Sequence, residues 1–152
     1  MEESEALCAG VLKAFPGVKT YQTRVINFAR KNGYVETIFH WKRKIIGINS
    51  PNSSVRTHAE NQAMNTPIQG SAACIMKKTM VDIYEELPDQ KDVDLALQVH
   101  DENVFLVPVG KEAEVARWVK GHMEKEIPGF NVPILAEPAA APVWGDKKDI
   151  QV

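Results

Sequence analysis

The chain has 152 residues, enough for one domain of ordinary size. Hydrophobic residues make up 44% and charged residues 25%, a balance typical of folded proteins that excludes an intrinsically disordered chain. With 18 basic and 20 acidic residues the net charge is −2, which excludes a uniformly basic nucleic-acid wrapper but allows a local basic patch.

Helical spacing predicts two helices in the first part of the chain. The first spans Leu7 to Phe15 and ends at Pro16-Gly17, and the second runs from about Val18 to Lys31 and ends at Asn32-Gly33. The β-branched and aromatic residues from Tyr34 to Phe39 predict a short strand.

Two further helices are predicted in the middle part of the chain. The third begins near Asn52 or Ser53, either of which can accept a hydrogen bond from a free backbone N–H, and it ends before Pro67. A new helix then starts with Ser71 as its cap and keeps one apolar face as far as Leu87.

The second half of the chain predicts a hairpin. Val93 to Val99 and Val104 to Val107 are apolar strands around the polar tetrapeptide His100-Asp101-Glu102-Asn103. Lys111 to Glu126 has the spacing of an amphipathic helix, and a last short strand is expected around Val132 to Ala136. The mixed order predicts an α+β fold with helices packed on a small antiparallel sheet that carries this hairpin. Without repeats or linkers, residues 1–152 are expected to form a single unit.

The carboxylates at the predicted bend, Asp101 and Glu102, are the first candidates for chemistry. Carboxylate oxygens are the ligands that Mg²⁺ prefers, and a rigid hairpin positions them well. Acidic residues also favour turns simply because they are well solvated, and these two residues alone favour that interpretation. Adjacent strand residues point to opposite faces, so we expect one carboxylate to bind the ion and the other to lie beside it.

Two polar segments are candidates for nucleic-acid binding. Amide side chains can bond to base edges and sugars, and they are unusually dense in one segment, at Asn61, Gln62, Asn65 and Gln69. The basic segment Lys42-Arg43-Lys44 follows Trp41, a combination that suits a phosphate backbone. A solvated helix face and an ordinary charged surface remain the alternative interpretations.

Three stretches together resemble the C-terminal palm region of family A, or polymerase I-like, DNA polymerases. They are RKNGYVETIF (Arg30 to Phe39), NTPIQGSAA (Asn65 to Ala73) and LQVHDE (Leu97 to Glu102). The resemblance runs from about Ala6 to about Trp144, and the order and spacing of the three motifs make it specific.

The resemblance implies template-directed DNA synthesis, with primer–template DNA and deoxynucleoside triphosphates as partners and two Mg²⁺ ions as cofactors. Asp101 corresponds to the family's metal-binding catalytic aspartate, with Glu102 as its acidic neighbour. The resemblance also implies DNA-binding positions. Gln98 and His100 would face the primer terminus, and Asn65 and Gln69 would touch the minor groove. Arg43 would meet the nucleic-acid backbone, and Asn61 stands on the template side.

The sequence also departs from the family. Asn61 stands where the family has an arginine, which removes a charge and five donors, and Cys74 stands where it has an aspartate, three residues after the predicted Ser71 cap. Asn103 replaces an aliphatic residue after the turn. Two alanines replace glycines expected in the final strand, at Ala139 and Ala141.

The palm strand with the family's other catalytic aspartate, the nucleotide-gripping helix of the fingers and the exonuclease domain have no counterpart in these 152 residues. We therefore expect a fragment or split subunit that is inactive without the missing upstream portion. The alternative is a catalytically inactive DNA-binding or interaction module derived from a palm, which the Asn61 and Cys74 departures favour. A free-standing nuclease is disfavoured because no second acidic cluster is evident.

The sequence also predicts a location inside the cell, in the cytoplasm, the nucleoid or a virus-infected cell. The N-terminal MEESEALCAG is acidic where a secretory signal is basic and then apolar. Two cysteines far apart, Cys8 and Cys74, do not make a disulfide framework and favour a reducing compartment. No apolar run approaches the roughly 20 residues that cross a bilayer, so no membrane association is expected.

Overall fold

The computed structural model describes residues 9–87 and 92–152. The chain divides into two compact units, one up to Ser71 and the other from Ala72 onwards, and the expectation of a single unit stays a prediction. The α+β class is confirmed, since the helices are combined with antiparallel two-stranded sheets. Within the described ranges, no helix is long and apolar enough to cross a membrane.

The first unit opens with helical residues 9–14 and then helix α1, Pro16–Asn32. Pro16 suits the first turn because the N–H that it lacks would have no partner there. Gly33 ends α1 in the left-handed conformation, with φ +78°, and its N–H donates to the Ala29 carbonyl at 2.7 Å. The predicted break at Pro16 and the second helix are confirmed, whereas Leu7 lies outside the described residues.

A small hairpin follows, in which strand β1, Tyr34–Glu36, pairs antiparallel with β2, Lys42–Lys44. The strand predicted from Tyr34 to Phe39 is too long, because Thr37 already begins the turn. Its N–H donates to the Trp41 carbonyl at 3.0 Å, and His40 closes the turn with φ +61°. The basic segment, which had no predicted structure, forms β2.

Helix α2, Ser53–Glu86, is a single helix, so the predicted break at Pro67 is wrong. Its start is as expected, because the Asn52 carboxamide oxygen accepts the Ser54 N–H at 2.9 Å. A proline inside a helix costs about 3 kcal/mol, yet the helix continues past Pro67, with Ala59 and Ala63 buried on the preceding turns. Ser71 is therefore not a cap.

The hydroxyl of Ser71 instead donates to the Pro67 carbonyl within the helix. Cys74 consequently lies inside α2 and not in a first turn. The loss of dipole stabilisation that the sequence suggested for this position does not apply, because that effect is confined to the terminal turns.

The core of the first unit joins α1, the small hairpin and the first half of α2. Its buried side chains form one cluster: Ala29, Val35, Ile45, Ile48, Ala59 and Ala63. The Tyr21 hydroxyl ties the two helices together by donating to the Met64 carbonyl at 3.0 Å. Burial raises the pKa of this tyrosine, although the nearby Arg24 charge acts in the opposite direction.

In the second unit, strands β3, Asp94–Val99, and β4, Glu102–Leu106, form the predicted hairpin, with a register shift between Leu95 and Leu97. Helix α3 spans Glu112–Met123. The core of this unit consists of Ile83, Val93, Val115 and Val119, with Phe105 and Trp118 among the side chains packed against it.

The strand predicted at Val132 to Ala136 does not form. Pro133 cannot donate to a strand ladder, and the Ala136 N–H donates instead to the Glu124 carboxylate at 2.8 Å. The last pairing joins β5, Ala139–Ala140, to β6, Lys148–Asp149. Ala139 and Ala141 both have negative φ, so alanine fits at positions where the sequence suggested that glycine was needed.

Candidate functional site

The tip of the β3–β4 hairpin is a two-residue loop formed by His100 and Asp101. Val99 pairs with Glu102, so the two strands continue up to the loop on both sides. His100 has φ +52°, the left-handed region that non-glycine residues rarely adopt. A strained two-residue loop between paired strands leaves little freedom to the residue that follows, and the position of Asp101 is therefore well defined.

Asp101 is exposed at this tip. Within residues 9–87 and 92–152, its carboxylate makes no ion pair and no side-chain hydrogen bond. The oxygen atoms of Asp101 are thus available to an external ligand.

Glu102 is in a different state, because the Lys147 ammonium lies 2.7 Å and 2.9 Å from its two carboxylate oxygens. The hydrogen bond from Lys147 is the main cause that lowers the pKa of Glu102, and the Trp144 side chain adds a second hydrogen bond. The two neighbouring carboxylates therefore differ, one being free and the other already paired with a cation. Nothing in the sequence pointed to Lys147, because 45 residues separate the partners.

Gln98 and His100 also belong to this tip. The Gln98 carboxamide nitrogen donates to the His100 carbonyl, which braces the loop from its own strand. Both side chains are exposed. The structure therefore brings Gln98, His100, Asp101 and Glu102 together at one end of the hairpin, as their order along the strands predicted.

Asn103 follows the turn, and its side-chain amide is buried. Neither its Nδ2 nor its Oδ1 atom has a hydrogen-bond partner among the described residues. Asn103 lies opposite Gln98 and on the same face of β4 as Phe105, which packs against the core. Where the family has an aliphatic residue, this chain thus has an unsatisfied amide beside the candidate site.

In the first unit, Asn61, Asn65 and Gln69 are four residues apart along α2, and all three are exposed. Residues at this spacing lie on one face of a helix. We call this surface the amide face. The remaining predicted amide, Gln62, is half-buried and bonds to His58 at 2.9 Å.

Arg43 on β2 reaches α2 beside the amide face. Its Nη1 donates to the Thr66 hydroxyl at 3.3 Å, next to Asn65. Lys42, its neighbour, is partly neutralised, because its ammonium lies 3.6 Å from the Glu36 carboxylate and 4.6 Å from the Tyr34 ring centroid. Arg43 therefore adds a guanidinium to the polar surface of α2.

The NTPIQGSAA stretch has a structural role that the sequence reading missed. A Cβ atom on Gly70 would lie 3.0 Å from the Thr37 methyl group, so glycine permits the close approach of the hairpin turn to α2. The Ser71 hydroxyl accepts the Ile38 N–H at 2.9 Å. The sequence signals that could have indicated this role were the adjacent Gly70 and Ser71.

No cluster of three or more histidine, cysteine, aspartate or glutamate side chains in the described ranges could hold a metal ion. Mg²⁺ commonly uses only one or two protein carboxylates, together with water and substrate phosphates. The free carboxylate of Asp101 fits the role of one such ligand, and further ligands would have to come from elsewhere.

The chain is similar to known proteins over most of its length. The model of DNA polymerase family A matches residues 1–146. The chain is 40% identical over 136 residues to DNA polymerase I of Geobacillus stearothermophilus, covering 89% of this chain and 15% of that protein. It is 35% identical over 148 residues to DNA polymerase theta of Drosophila melanogaster, covering 92% of this chain and 7% of that protein.

A solved structure is also similar, the POL domain of Pol1 from M. smegmatis in complex with DNA primer-template and dNTP. The TM-score is 0.80 at 36% identity, covering 88% of this chain and 24% of that one. The chain spans 15% and 17% of the lengths of the first two curated relatives.

Proposed function

This chain belongs to DNA polymerase family A, and we propose that it forms the C-terminal part of the palm of a DNA-directed DNA polymerase. The reaction is template-directed addition of a deoxynucleotide to a primer 3′-hydroxyl. The new phosphodiester bond forms at the α-phosphate, and the bond to the leaving pyrophosphate breaks.

The observation that carries the proposal is the free carboxylate of Asp101 at a rigid two-residue hairpin tip, beside a second carboxylate that is already paired. Phosphoryl transfer depends mainly on positioning and electrostatic stabilisation, so a fixed acidic oxygen is the contribution it requires from the protein. Asp101 would hold Mg²⁺, while Gln98 and His100 would lie along the primer terminus.

Two Mg²⁺ ions are the expected cofactors, and they would activate the primer hydroxyl and stabilise charge on the α-phosphate and the leaving oxygen. Since Asp101 is the free carboxylate at the hairpin tip, the remaining protein ligands would come from the upstream palm. We therefore expect the 152-residue polypeptide on its own not to extend a primer.

For DNA binding, the amide face offers donors and acceptors to the minor groove, where hydrogen bonds position the primer–template junction. Arg43 would contact the phosphate backbone. The M. smegmatis relative, whose structure contains DNA primer-template and dNTP, supports these as partners. For location, we propose a compartment of the cell that holds DNA.

Complementation tests the proposal. The chain is mixed with the upstream part of Geobacillus stearothermophilus DNA polymerase I that lacks the region matching this chain, and extension of a labelled primer is measured with Mg²⁺. We expect synthesis from the mixture and none from either part alone. Asp101→Asn should lower the rate more than about 100-fold, because even groups that only orient a metal ligand are worth 10–100-fold.

Asp94→Asn is the matched control, since Asp94 is exposed at the other end of the same hairpin and should leave the rate unchanged. Equal extension by the Asp101→Asn and Asp94→Asn mixtures would contradict the proposal. Retained binding of primer–template DNA without extension in any mixture would instead identify a catalytically inactive DNA-binding module, the alternative that the Asn61 and Cys74 departures from the family favour.

A further inference from the structure

The contact between Glu102 and Lys147 joins the catalytic turn to the C-terminal segment. The Lys147 ammonium approaches both carboxylate oxygens, at 2.7 Å and 2.9 Å, which is the range of charge-assisted hydrogen bonds. Glu102 is therefore bound from that segment through both of its carboxylate oxygens.

That segment is held in place by backbone hydrogen bonds on both sides of Lys147. Lys147 directly precedes β6, whose residues Lys148 and Asp149 pair with β5. The Ile150 N–H donates to the Pro138 carbonyl at 2.9 Å, and the Asp146 N–H donates to the Val143 carbonyl at 3.2 Å. The position of the ammonium is thus set by the paired tail and not only by the reach of a flexible side chain.

We propose that Lys147 is a positioning residue that occupies the cation-binding side of Glu102, so that Asp101 alone of the two adjacent carboxylates is free to bind a divalent ion. The metal identity and the role of Asp101 rest on the proposed function. The role of Lys147 rests on its contact with Glu102.

The physical consequence is a turn with one free negative charge and not two. Two adjacent free carboxylates would attract any divalent cation more strongly, since affinity rises with the number of charged ligands. Pairing Glu102 with an ammonium reduces that attraction and fixes the side chain to the tail. The free carboxylate of Asp101 can then share an ion with substrate phosphates.

Binding of Mn²⁺ to the full chain, followed by electron paramagnetic resonance of the free ion, tests this directly. Lys147→Met should raise the affinity roughly thirtyfold, the effect of one unit charge about 4 Å from a divalent ion in water. Lys147→Arg keeps the cation and should restore the original affinity. Lys148→Met is the matched control, because Lys148 is the exposed next residue and makes no contact with Glu102 in the described part of the chain.

Glu102→Gln in both backgrounds separates the role of Lys147 from a general charge effect. We expect it to lower Mn²⁺ affinity less in the original chain than in the Lys147→Met chain, where it should abolish the gain. An equal loss in both backgrounds would overturn the proposal, because Glu102 would then bind the ion despite Lys147. Absence of a gain in Lys147→Met, including the case in which no variant binds Mn²⁺, would overturn it as well.

Asp101→Asn distinguishes this proposal from the proposed function. If Asp101→Asn loses complemented primer extension but Lys147→Met gains no Mn²⁺ affinity, the role of Lys147 is refuted and the proposed function is not. Unchanged extension in Asp101→Asn refutes the proposed catalytic role of the turn, whatever Lys147 does.

Discussion

Replacing Asn103 with leucine should stabilise the protein. Both polar atoms of this amide are buried and have no partner in the described residues. Leaving a buried polar group unsatisfied costs about 1–3 kcal/mol, and leucine has nearly the same shape with no polar atom. Because Asn103 shares a face of β4 with the core residue Phe105, the new methyl groups would also enter an apolar environment.

We expect Asn103→Leu to raise the free energy of unfolding of the full chain by about 1–3 kcal/mol. For a chain of this length, each kcal/mol corresponds to roughly 2–4 °C in Tm. Urea unfolding followed by circular dichroism gives the free energy, with m-values compared to exclude a change in the unfolded state.

Asn131→Leu is the control for this substitution, because the Asn131 amide is exposed and its replacement removes no cost of a buried polar group. Its free energy of unfolding should change by less than about 0.5 kcal/mol. An Asn103→Leu chain that is as stable as the original, or less stable, would show that the amide is satisfied in solution and would refute the reasoning.

Gly70→Val should lower the free energy of unfolding by about 1–3 kcal/mol, because a Cβ atom there lies 3.0 Å from a buried methyl group; Gly121→Val, with nothing within 4 Å, should be nearly neutral in the same urea titration. Ser71→Ala removes the acceptor of the part-buried Ile38 N–H, so urea unfolding should show a loss of about 0.5–1.5 kcal/mol, and an unchanged midpoint would contradict this role. Gln69→Ala should lower extension by the complemented enzyme about tenfold, the worth of one positioned hydrogen bond, and change DNA affinity far less; a large affinity loss with normal extension would rule out positioning. The hydrogen bond from the Gly110 N–H lowers the pKa of Glu112, so this carboxylate stabilises the fold above its unfolded-state pKa and loses that contribution as pH falls through the lower folded-state value. The urea midpoint of Glu112→Gln should therefore fall less on acidification than that of the original chain, and an equal fall would contradict this role.

The local features of the candidate site could be predicted from the residue pattern. Apolar strands on both sides of HDEN predict a hairpin with its bend in this tetrapeptide, and the bend lies at His100 and Asp101, whereas Glu102 and Asn103 already belong to β4. Amides at Asn61, Asn65 and Gln69 predict a common face, because residues four apart coincide on any helix. Both predictions concern neighbours in the chain, and the structure places these residues accordingly.

Predictions about chain breaks were less accurate, since local preference competes with packing. Pro67 and Gly70 predict a helix boundary from their own conformational limits. In the folded chain Ala59 and Ala63 are fully buried against the small hairpin, and Gly70 admits Thr37 at close range. These contacts come from residues distant in sequence, and they favour one continuous helix.

The amino-acid sequence by itself determined the family, the α+β class and which side chains stand at the tip of the β3–β4 hairpin, because these follow from motifs and from periodicities of a few residues. Only the tertiary structure decided how the two carboxylates of that turn differ. Lys147 reaches Glu102 across 45 residues, and Asp101 has no partner in the part of the chain that the structure describes. The distance between oppositely charged groups sets their interaction, and that distance exists only once the chain is folded.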